Sequence, residues 1–139
     1  MNNDLKAAAT NRFASPYQDL LGYEICEVKE GLARIRLDVS KKHMNAASIP
    51  HGGVYATILD AALGIAGSTD PEFEDPRFAV TLNLNINYVS LARGPVLYVE
   101  GRKTGGGKSI YFSEGEITDE EGNVVATGSA TFKFTKRPT

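Results

Sequence analysis

Between Val54 and Gly67 apolar residues crowd the chain; Val54, Ile58, Ala61 and Ile65 recur at i, i+4, i+7 and i+11, and no proline interrupts them. That spacing predicts a helix. Because the helix is apolar on nearly every face, it must be buried on most sides. On either side the period shortens to two. Residues 22–29 and 32–39 alternate and predict a hairpin closed by Glu30-Gly31. The clearest strand runs over 78–89, where Val80, Leu82, Leu84, Ile86 and Tyr88 alternate with Thr81, Asn83, Asn85 and Asn87. Further strands are expected over 96–104, 109–118 and 124–134, with Gly105-Gly106-Gly107 and Glu121-Gly122-Asn123 as turns.

The connecting segments fill in the plan. Residues 1–12 read as a loose or helical leader, 16–21 as a short helix or turn, and 68–77, rich in proline and acids, as a loop. The polar connection over 40–51 is long enough to be functional rather than a mere link. A hairpin, one long apolar helix and then a strand meander is the order that an α+β fold needs if an antiparallel sheet is to wrap one helix. With 139 residues, 42% of them apolar, and no internal repeat, the chain reads as a single domain over 1–139 with a core of moderate size.

One acid, Asp60, stands in the middle of the apolar helix, and no Lys or Arg occurs between Asn45 and Asp70. Ala56 and Gly64 flank it one turn away, so its face is open to approach. Two readings follow. The carboxylate is satisfied by a hydroxyl, an amide or water, or it carries chemistry, because buried acids are rare without a partner or a role. The helix begins at Pro50-His51-Gly52-Gly53. There the first-turn N–H groups are unpaired and the dipole is positive, and the glycines let a polarised carbonyl oxygen come close. Eight helical residues separate Gly52 from Asp60 by roughly 12 Å along the axis, too far to share one reacting carbon. If both act on the same carbon, they come from two antiparallel copies of the helix across a dimer interface. An oligomer with composite sites is therefore expected.

Asn45, then His51-Gly52-Gly53, then Asp60 resembles the signature of the hot-dog-fold acyl-CoA thioesterases, in particular the PaaI-like, phenylacetate-pathway group. The match covers roughly Leu20 to Phe134. The resemblance implies a sheet wrapped round one long helix, pairing of two units into a dimer with a continuous sheet, and further association into tetramers. It also implies that Asp60 is the catalytic carboxylate, that the Gly52 N–H holds the thioester oxygen, and that Asn45 and His51 support them. Thr81 stands where the family places a hydroxyl that orients the attacking water, commonly a serine. The implied activity is hydrolysis of aryl or short- to medium-chain acyl-CoA, without a metal and with coenzyme A as part of the substrate rather than a cofactor. Asp60 acts either as general base or as nucleophile.

The formal net charge is −2 with no basic tract, which argues against nucleic-acid binding. The lone cysteine, Cys26, has no internal partner and reads as a packing residue. No signal-peptide core or bilayer-length apolar run is visible, so a cytoplasmic protein away from membranes is expected. Thr104-Gly105-Gly106-Gly107-Lys108-Ser109 is not a phosphate loop, because position 102 is Arg where that pattern needs Gly, and the segment joins two strands. Basic and glycine-rich positions remain candidates for the CoA groove: Gly53, Ser90, Arg93, Gly94, Arg102, Lys103, Gly106 and Lys108, with Arg93 first. His51 either supports the site or caps a backbone group, and His43 reads as an ordinary exposed residue. One Cys and two His are too few for a structural zinc site. The competing readings are a hot-dog dehydratase or hydratase, and a non-catalytic acyl-CoA binder.

Overall fold

The computed structural model describes residues 2–69 and 77–136. Helices α1 (Asn2–Phe13) and α2 (Pro16–Leu21) precede a hairpin of β1 (Glu24–Lys29) and β2 (Leu32–Asp38). The central helix α3 (Gly52–Ser68) follows, and then β3 (Phe78–Tyr88), β4 (Val96–Gly106), β5 (Ile110–Thr118) and β6 (Val124–Thr135). The leader is thus helical. Ser15 caps α2 by accepting the Gln18 N–H, and Gly22 ends it in the left-handed conformation that a side chain would resist. Of the proline- and acid-rich segment expected as a loop, residues 70–76 lie outside the described residues. Among the described residues no helix is long and apolar enough to cross a membrane.

The six strands form one antiparallel sheet in the order β1-β2-β4-β5-β6-β3. The sheet curls round α3, whose Ile58, Leu59, Ala62 and Leu63 are wholly buried. Each of the larger three contributes roughly 1.5–3 kcal/mol of burial. They meet Ile35, Leu37, Leu97, Val99, Ile117 and Val125 from the strands, and Tyr111 stacks on Phe132 under the second half of the helix. The opposite face of the sheet is polar, with Arg34 bridging Glu27 and Glu100, and Arg102 bridging Glu100 and Glu116.

Three glycines stand side by side where α3 crosses the sheet: Gly101 pairs with Gly115, and Gly115 with Gly128. A methyl on Gly101 would lie 2.7 Å from the Ala62 carbonyl oxygen, one on Gly115 2.1 Å from that of Glu100, and one on Gly128 3.2 Å from Leu59 Cδ1. Gly101 lets the helix backbone rest almost directly on strand β4, Gly115 relieves a contact with that strand's own backbone, and Gly128 leaves room for the Leu59 side chain.

Two bulges correct the alternation read from the sequence. In β1, Ile25 pairs with Ile35 and Glu27 with Arg34, leaving Cys26 as the extra residue. Cys26 is therefore exposed rather than packed. In β3, Thr81 pairs with Phe132 and Asn83 with Thr131, so Leu82 is supernumerary. The residues before it change parity with respect to those after it. Ala79 and Thr81 turn to the side of α3 together with Leu84, where Thr81 bonds to Asp60, whereas Val80 and Leu82 turn away.

Candidate active site

Residues 40–51, expected to be more than a link, fold into a scaffold for the start of α3. Asn45 Oδ1 accepts the N–H groups of Ala47 and Ile49 at 2.9 and 3.2 Å, and Met44 bridges to Pro50. His43 is not an exposed residue. It is 2% accessible; Nδ1 accepts the Ser40 N–H at 2.9 Å, and Nε2 lies 2.7 Å from the Leu21 carbonyl oxygen, pinning the connection to the end of α2. Burial follows because both ring nitrogens find backbone partners when the connection folds back. His51 is the N-cap of α3, and its Nδ1 accepts the Gly53 N–H at 2.9 Å. The capping reading of His51 is the one the geometry displays. Tyr88, stacked on Tyr55, donates to the Gly52 carbonyl at 2.7 Å and fixes the first peptide of the helix.

Asp60 lies eight residues further along the same helix, half-buried, in the wall of a cavity of about 440 Å³. Ala56, Thr57, Ala61, Gly64 and Ser68 pave one side. Phe13, Tyr23, Ile25, Phe78, Leu84 and Phe132 line much of the rest, with Tyr17 and Thr81 among its polar groups. The Thr81 hydroxyl donates to Asp60 Oδ1 at 2.7 Å, a bond made possible by the bulge at Leu82. A carboxylate that accepts one hydroxyl and faces an apolar chamber retains lone pairs for a second donor, such as water. Burial, reinforced by the charge of Asp60, pushes the Tyr23 phenol above its usual value. The Tyr111 phenol is raised further by burial and by the same charge, against the bond from Ser68, and it donates to the Gly64 carbonyl at 2.8 Å.

Within one protomer the structure joins Asp60 to Thr81, and joins Asn45, His51, Gly52 and Gly53 at the start of α3. These two groups stay apart. The basic candidates also divide. Ser90, which donates to the Val124 carbonyl, lies with Arg93 and Gly94 before β4, whereas Lys103, Gly106 and Lys108 lie at its far end. Eleven residues of strand put roughly 35 Å between these ends. Arg93 is exposed and pairs with Glu121 at 3.4 Å, and its N–H is held by the buried carboxylate of Asp119. Although burial opposes the charge, bonds from the Arg93, Asn123 and Glu121 backbones hold Asp119 below the usual carboxylate range. Arg102 is engaged by Glu100 and Glu116 on the polar face of the sheet, so it is not a free phosphate ligand. The strand outlasts the expected turn: Gly105 and Gly106 still belong to β4 and pair with Phe112 and Tyr111, so only Gly107, Lys108 and Ser109 connect it to β5.

Tyr17, Tyr23 and Phe13 are cavity residues the sequence reading passed over. Tyr23 had a signal, since it shares the parity of Ile25 in the first strand; Phe13 had none, standing in a leader without periodicity.

The description of the thioesterase superfamily matches residues 48–126, more than half of the chain and including Gly52, Asp60 and Thr81. The chain belongs to the thioesterase superfamily. A 1,4-dihydroxy-2-naphthoyl-CoA hydrolase of Listeria monocytogenes is 26% identical to this thioesterase over 122 residues, covering 86% of the chain and 96% of the relative. A Bacillus halodurans protein solved with CoA superposes with a TM-score of 0.79 at 27% identity, covering 98% of the chain and 94% of its own. The E. coli PaaI protein from the phenylacetic acid degradation operon shares the fold, with a TM-score of 0.79 at 20% identity over 94% of the chain and 91% of its own. The architecture is the hot-dog fold that the resemblance implied.

Proposed function

We propose that this thioesterase hydrolyses aryl or short- to medium-chain acyl-CoA esters to the free acid and CoA, as a PaaI-like enzyme working in antiparallel dimers. One observation carries the reading: a carboxylate, Asp60, held by the Thr81 hydroxyl in the wall of an apolar chamber large enough for an acyl group. Asp60 takes a proton from water, the water oxygen attacks the thioester carbon, and the negative charge develops on the carbonyl oxygen. That oxygen is met by the Gly52 N–H of the partner's helix, at an end where the backbone dipoles favour it. The C–S bond then breaks, the electron pair leaves with the thiolate, and Asp60 gives its proton up to that sulfur or to water, which restores the carboxylate. Asn45 and His51 act one step back, by holding the loop and the first turn that present this N–H. Arg93, and Lys103 and Lys108 at the far end of β4, are the groups offered to the CoA phosphates; antiparallel pairing sets one end of each protomer beside the other end of its partner.

The nature of the Listeria relative and of the CoA-bound Bacillus protein supports a CoA ester as substrate. The test is thiol release from a panel of acyl-CoA esters by the wild type and by Asp60→Asn. Hydrolysis by the wild type that falls at least about a hundredfold in the variant is expected for loss of the base. Equal rates in the two proteins would overturn the assignment.

A further inference from the structure

We infer that Phe13, carried by the N-terminal helix α1, is a specificity-determining residue: with Phe78 it forms the end wall of the acyl chamber and sets the length of acyl group accepted. The inference rests on the reading of the Asp60 cavity as the acyl site.

Strand β3 runs opposite to α3, since Tyr88 reaches Gly52 at the start of the helix and Thr81 reaches Asp60 at its middle. Phe78 therefore lies towards Ser68, at the far end of the chamber. Phe13 is gathered to the same end. The guanidinium of Arg12 lies 5.0 Å from the centroid of Phe78 and 5.8 Å from that of Phe13, and it donates to the Arg77 carbonyl. Ala9, one turn earlier in α1, is fully buried against the core, so the helix that delivers Phe13 is docked rather than loose. At the other end of the same segment Tyr17 and Thr57 share a hydrogen bond of 3.0 Å. The chain from Arg12 to Tyr17 is thereby fixed at two points along one side of the chamber.

From Asp60 to Ser68 the helix advances about 12 Å. A saturated chain of C–C bonds gains about 1.25 Å per carbon, so a group of about ten carbons fills the chamber from the level of Asp60 to the Phe13 and Phe78 rings. A single aromatic ring on a short spacer also fits that length. Longer chains meet two aromatic rings that cannot yield without displacing α1.

The experiment compares kcat/KM for straight-chain acyl-CoA esters of about six to about fourteen carbons in the wild type, Phe13→Ala and Phe13→Trp, each checked for an intact thermal transition. The wild type should fall at least about tenfold beyond about ten carbons. Phe13→Ala should raise the ratio of long-chain to short-chain kcat/KM by at least about tenfold, and Phe13→Trp should lower it. Active enzymes with the same chain-length profile in all three, or a shift in the same direction for both variants, would overturn the role of Phe13 and leave the thioesterase assignment standing. No thiol release from any ester by the wild type would overturn both.

Discussion

The hydrogen bond from Thr81 to Asp60 makes a residue-scale prediction, because it is the one side-chain hydrogen bond to the carboxylate among the described residues. Thr81→Val keeps the shape and removes the donor, so kcat should fall about tenfold to a hundredfold, the worth of a hydrogen bond to a charged group. Thr81→Ser should recover most of the rate, and steady-state kinetics on the preferred ester decides it. If valine were as active as threonine, the hydroxyl would have no part in the chemistry. Asp60 was legible in the sequence because a lone acid in an apolar helix is a local oddity. His43 was not, since nothing in Lys41-Lys42-His43-Met44 announces that both ring nitrogens will meet backbone groups, one of them at Leu21. Burial there is set by a contact between residues 22 positions apart.

At the scale of elements, periodicity gave the helix and the strands almost to the residue, because a period of 3.6 or 2 is written directly into side-chain order. Bulges are where that reading fails. Leu82 and Cys26 are as apolar as a strand core requires, and only the partner strand shows that each is one residue too many. The parity error at Leu82 matters most, for it placed Thr81 on the wrong face in a strict alternation while the family resemblance placed it in the site. The crossing of α3 over β4 was hidden for a different reason: three glycines widely spaced in sequence become one row only after the strands pair. Gly101→Ala should therefore destabilise the fold by about 1–3 kcal/mol through overpacking against the Ala62 carbonyl. A denaturant titration with an unchanged slope and a lower midpoint would register it; an unchanged midpoint would mean that the helix can lift without cost.

For the whole molecule, the separation of Gly52 from Asp60 turns a single-chain geometry into a statement about assembly. Gly52→Pro removes the N–H at the first helical position, where proline is well tolerated, and His51 already has the extended backbone that a following proline asks for. Gly52→Pro and Asp60→Asn should each be inactive alone. Co-refolded in equal amounts, they should regain about a quarter of wild-type activity, because half the dimers are mixed and each mixed two-fold dimer restores one of its two sites. Refolded mixtures no more active than the separate variants would place the whole site within one chain. The glycine row has a consequence for how such a chain reaches its native state. Slipping β4 or β5 by one residue would turn Glu100 or Arg102, and Glu114 or Glu116, towards the helix in place of hydrogen atoms. The central helix can seat itself only on a correctly registered sheet, so a slipped strand forfeits the docking of the helix and the cavity together.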